Sequence, residues 1–108
     1  MPMYRNTVTD TITANADYVE IDFREHVNGG IGVQVTGTWV ATITWQVSIN
    51  GTDFASTMAT PVATGTDATT TTGNGIFRFE AVGIKKARAT CTAFTSGTAT
   101  VTMVAAIG

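Results

Sequence analysis

Hydrophobic and polar residues alternate along most of this chain, and a period of two marks strands that bury one face. Thr7 to Thr13 sets Val8 and Ile12 against a row of threonines. Asp10 interrupts the apolar side, which predicts an edge strand. Tyr18 to Arg24 alternates cleanly, with Val19, Ile21 and Phe23 inward. Ile31, Val33 and Val35 form a third run, ended by Gly37. Val40 to Ile49 is the longest run, with Ala41, Ile43, Trp45, Val47 and Ile49 on one face. A fifth run extends from Phe54 to about Met58, and Pro61 stops it or confines it to an edge. Three runs close the chain. Their inward faces are Phe77, Phe79 and Ala81, then Ala87, Ala89, Cys91 and Ala93, then Ala99, Val101 and Met103.

Turn chemistry separates these runs. Asn15-Ala16-Asp17 and Asn28-Gly29-Gly30 read as turns. Asn50-Gly51 is a strong signal for a type I′ hairpin, whose two central residues both need positive φ. Thr95-Ser96-Gly97 reads as a further hairpin link. Residues 62–75 lack periodicity and are expected to form a long exposed loop. Residues 1–6 are expected to form an N-terminal arm, disordered or laid on a neighbouring subunit, ahead of one domain over 7–108. No segment carries the 3.6-residue period of a helix. The fold predicted is all-β: a two-sheet β-sandwich, jelly-roll-like, of about eight strands. The small face of Ala87, Ala89, Cys91 and Ala93 leaves room for bulk, and Trp45, Phe77 and Phe79 are the bulk available.

Composition agrees with this. Charged residues make up only 13% of the 108 residues, about half the usual share. Threonine fills roughly a fifth of the chain, and its branched, polar side chain suits the wet face of a strand. A net charge of −2 gives no general drive toward nucleic acid or an anionic membrane. No apolar stretch approaches a membrane span, and Met1 to Asn6 carries no apolar leader core. Cys91 is the single cysteine, so neither an internal disulfide nor a thiolate metal cage is expected. It reads as a small buried apolar residue.

Catalytic chemistry is sparse. His26 is the only histidine and has no second ligand or nucleophile to work with. Glu20 and Asp22 share a strand face and read as a solvated pair. Gly29-Gly30-Ile31-Gly32 is followed by a strand instead of the helix N-terminus that a phosphate cradle needs. Ser48 to Phe54 has a loose likeness to turns of carbohydrate-active β-proteins, and an ordinary hairpin is preferred. Asn50-Gly51-Thr52 is a formal glycosylation sequon. No enzyme and no cofactor are therefore expected. Lys85, Lys86 and Arg88 form the one local concentration of positive charge, read as a solvated strand end or a contact to an acidic protein. Trp39, beside Gly37-Thr38, is expected to be exposed and to serve as an interface or sugar contact.

Two stretches together resemble a known family. Val33 to Phe54 and Gly73 to Met103, the latter with its G-I-K-K-A-R and T-S-G-T-A-T-V-T elements, look like small β-sandwich virion modules of tailed bacteriophages. The resemblance covers about two-thirds of the chain and fits residues 1–32 only loosely. It implies a structural virion protein, most like a capsid cement or decoration protein. The partners implied are the major capsid protein and two further copies in a homotrimer, with no nucleic acid, membrane or small-molecule substrate. The place implied is the capsid surface, after synthesis in the host cytoplasm. The interface residues expected, from the N-terminal arm, the exposed tryptophan and the basic cluster, are Tyr4, Arg5, Trp39, Lys85, Lys86 and Arg88. A tail- or fibre-associated module binding a receptor or glycan, through Trp39 and the 62–75 loop, is the alternative.

Overall fold

The computed structural model describes residues 4–23, 28–80 and 82–107, with side chains at 7–23, 30–80 and 82–105. Eight strands follow in order: β1 (Tyr4–Ile12), β2 (Tyr18–Asp22), β3 (Asn28–Ser48), β4 (Ala55–Ser56), β5 (Thr60–Pro61), β6 (Thr70–Thr71), β7 (Gly75–Glu80) and β8 (Lys86–Ile107). All pairings are antiparallel and join one sheet, so the all-β class holds.

Two strands are far longer than their sequence runs. β3 has 21 residues and β8 has 22. They pair along their whole length, from Ser48 opposite Lys86 to Asn28 opposite Ile107. β3 absorbs the runs expected on either side of Gly37, and its start absorbs the turn expected at Asn28-Gly29-Gly30. β8 likewise absorbs the hairpin expected at Thr95-Ser96-Gly97. The other strands flank this spine. β1 and β7 extend it at one end, through Ile12–Ala99 and Val33–Phe77. β2, β4 and β6 extend it at the other, through Val19–Ala89, Val47–Ala55 and Ile43–Thr71. β1 lies at the sheet edge as expected, and it starts at Tyr4, inside the segment read as an arm. Met1 to Met3 lie outside the described residues. Pro61 sits in β5, at the other edge, where its missing N–H costs nothing.

The glycines explain why the sequence signalled breaks. Gly37 and Gly97 have φ of +105° and +91°, pair with Ala99 and Trp39 respectively, and so flank the Thr38–Thr98 pair diagonally across the spine. A Cβ on Gly97 would collide with the Thr38 carbonyl and lie 2.6 Å from Trp39 Cα, and one on Gly37 would lie 2.5 Å from the Thr98 carbonyl. The turn-like residues are real, but they bend a continuous ladder and do not end it. β8 also carries two more residues than β3 between Ile43–Cys91 and Val40–Ser96, so Thr92 and Thr95 bulge out of register. The first bulge flips the phase. Ala93, expected inward, is therefore exposed, while Ala87, Ala89 and Cys91 remain buried. The second restores it, and Ala99, Val101, Met103 and Ala105 are all buried.

The bent sheet folds its two ends over one core. Trp45 belongs to the β2–β4–β6 end, yet its ring centroid lies 5.0 Å from Phe77 and 6.3 Å from Phe79 of the β7 end. Trp45 is buried beside Ala89, its cross-strand partner, so the small residue does leave room for the large one. Such tilted ring pairs add roughly 0.5–1.5 kcal/mol beyond simple burial. Ile49, expected inward, is 75% exposed, because β3 ends at Ser48.

Candidate interaction surface

The basic cluster marked by the sequence is largely spent inside the fold. Arg88 lies on β8, whose pairing with β2 sets it opposite Glu20. Arg88 Nη2 is 3.2 Å from Glu20 Oε2, and Lys86 Nζ is 3.4 Å from Glu20 Oε1. The Arg88 guanidinium carbon sits 4.2 Å from the Tyr18 ring centre and 3.5 Å from that of Phe54. Two aromatic faces and one carboxylate thus enclose a flat cation, which arginine suits and lysine does not. Arg88 Nε is buried with no hydrogen-bond partner among the described residues. Lys85 is exposed, beside Gly51. The backbones of Tyr4 and Arg5 pair with β8, and their side chains lie outside the described residues. His26 also lies outside them.

Trp39 is half-buried, not exposed. It shares the odd-numbered inward phase of β3 and packs against the core margin. Its Nε1 donates to Asn74 Oδ1 at 2.6 Å, and Asn74 Nδ2 donates to the Gly37 carbonyl at 2.8 Å. This clamp ties the segment before β7 to the bend of the spine. The Asn50-Gly51 turn also differs from expectation. Gly51 alone has positive φ there, so it is not type I′. Asn50 Oδ1 instead accepts from the Thr52 and Asp53 amides, both at 2.8 Å, and forms a side-chain cap for a longer loop.

Among the described residues, two open surfaces bear on function. The first is the outer face of the β1–β8–β3 layer. Its rows run Thr11–Thr100–Thr36 and Thr9–Thr102–Gln34. Thr9 Oγ1 donates to Thr102 Oγ1 at 3.2 Å. These rows carry no charge, and branched threonines lose little freedom when a partner covers them. The second is an open groove of about 1170 Å³ lined in part by Gly30, Ile31 and Gly32 of β3. Arg78 and Glu80 of β7 stand on one side, and Met58 and Asp67 come from the segment around β5. The 62–75 loop therefore reaches a cavity through Asp67, while the rest of it is pinned by β6 and by the Ala59–Ala68 bridge. Gly30 and Gly32 belong to the Gly29-Gly30-Ile31-Gly32 stretch, which lacks the helix N-terminus of a phosphate loop. The available signal was that both glycines fall on the outward phase of a strand.

Among the described residues, no group of three or more His, Cys, Asp or Glu side chains gathers to hold a metal. No protein-family model and no curated protein matches this chain in sequence. In fold it is similar to the SPBc2 prophage-derived protein YomS, at 13% identity and a TM-score of 0.79, over 97% of this chain and 96% of that one. It is also similar to the PBSX exported protein XepA, at 18% identity and a TM-score of 0.75. That match covers 94% of this chain but only 38% of XepA, so the fold occurs both as nearly a whole chain and as one part of a longer one. These likenesses establish a fold shared with YomS and with part of XepA.

Proposed function

We propose that this chain is a non-enzymatic structural protein of a bacteriophage particle, which binds the capsid exterior and stabilises it. The observation that carries the reading is the likeness in fold, over nearly the whole of both chains, to a prophage-derived protein. It agrees with the resemblance of Gly73 to Met103 to phage virion modules. In this reading the partners are the major capsid protein and two further copies of the chain. The uncharged threonine rows of β1, β8 and β3 form the contact. A ligand that binds only the assembled shell stabilises it by mass action, and a footprint of standard size, about 800 Å² per partner, is enough for a specific contact.

Heating capsids with and without the purified protein tests this. Capsid melting should rise with added protein and return to its bare value with Thr9→Lys/Thr102→Lys. An unchanged melting point with the native protein rejects the capsid reading. A tail or fibre placement is the second reading. It is favoured by the match to part of a longer chain, because tail proteins can carry such a module within a larger architecture. Recovery of the protein with isolated tails instead of capsids selects it.

A further inference from the structure

Gly32 lies inside β3, where glycine is a poor choice: it packs no side chain and weakens the strand. Gly37 and Gly97 are required by positive φ and by close backbone contact. Gly32 has neither reason. Its φ is not in the left-handed region, and a Cβ built on it meets nothing within 4 Å. A strand glycine with free space above it marks a place where something else approaches the backbone. Around Gly32 the outer face is a trough, with Val104 and Arg78 as its cross-strand neighbours and Glu80 beside Gly30.

The walls define what fits. Arg78 can only donate hydrogen bonds, and it has no ion-pair partner among the described residues. Glu80 and Asp67 carboxylates can only accept. Asp67 Oδ1 is held by the Thr60 hydroxyl at 2.5 Å. An anion would meet two carboxylates, a cation would meet the guanidinium, and an apolar segment would leave all three charges desolvated. A neutral polyhydroxyl ligand avoids all three penalties, since each hydroxyl both donates and accepts. Met58, 53% exposed, and Val104 offer apolar contact for the C–H face of a ring. The volume is of the size that small-ligand sites occupy, about 300–1,000 Å³, or slightly above it.

We infer that the Gly30–Gly32 trough is a binding site for a neutral saccharide, with Arg78, Glu80 and Asp67 pairing its hydroxyls. This does not depend on the capsid reading, because the trough lies beside the threonine rows and uses none of their side chains.

The test is an amide-resonance titration with maltotriose, cellotriose, mannotriose and chitotriose, on the native protein and on Gly32→Val and Arg78→Ala. At least one trisaccharide should shift the amides of Gly30, Gly32 and Arg78. Gly32→Val should weaken that binding by about tenfold or more while the melting temperature holds or rises, and Arg78→Ala should weaken it without unfolding. The inference is overturned if no trisaccharide shifts those amides, if shifts map elsewhere, or if Gly32→Val binds as well as the native protein. Binding of a capsid-protein segment in the trough, with no saccharide effect, would also overturn it.

Discussion

Two parts of this molecule use the same unusual residues in opposite ways. At the bend and the β2 end of the spine, Gly97 and Arg88 are demanded by their neighbours. Gly97 sits at φ +91° against the Thr38–Trp39 backbone, and Arg88 is closed between two rings and Glu20. In the trough, Gly32 has ordinary backbone and open space, and Arg78 is exposed without an ion pair among the described residues. The difference separates residues kept for the fold from residues that the fold does not need. It also shows that a cluster of charge in sequence is a poor guide to an open site, because pairing across strands can neutralise it.

Breaking this contrast begins with the bend. Gly97→Ala should cost about 3 kcal/mol or more, because it combines a strained φ with a backbone clash. Denaturant unfolding reads the cost, and a loss under 1 kcal/mol would show that the ribbon can relax. Ala89→Leu should follow at about 1–3 kcal/mol, since Ala89 is fully buried between Val19 and Trp45. A neutral result would mean that the core has room the packing does not show. Arg88→Ala should cost about 1–2 kcal/mol through loss of both ring contacts and the ion pair. Arg88→Lys should recover only part of it, because lysine lacks the planar fork. Glu20→Gln should cost less than about 1 kcal/mol and lose its effect in high salt, since the pair is partly exposed. At the bottom of the series, Arg78→Ala and Gly32→Val should each change stability by no more than about 0.5–1 kcal/mol, the second toward greater stability. Equal losses for Arg78→Ala and Arg88→Ala would erase the distinction.

The groove was legible only in part. The outward phase of Gly30 and Gly32 is written in the chain, and so is their place beside an alternating run. The approach of Asp67 and Met58 is not, because it depends on how the segment around β5 turns back toward β7. Trp39 teaches the same point. It is expected to be exposed beside Gly37-Thr38, yet it is half-buried, and Asn74, 35 residues away, decides what its indole N–H does.

What the sequence by itself determined is which residues face inward. Period-two patterning is local, and burial of Val19, Ile21, Ile31, Val33, Val35, Ile43, Trp45, Phe77 and Phe79 follows it directly. The all-β class rests on the same signal. What only the tertiary structure decided is where strands end. A glycine with positive φ reads as a stop in sequence, yet Gly37 pairs with Ala99 and Gly97 with Trp39, and the ladder passes through both. The bulges at Thr92 and Thr95 were likewise invisible, because an extra residue in one strand is defined only against its partner. Continuity of a strand is a property of the pair, and no single chain segment carries it.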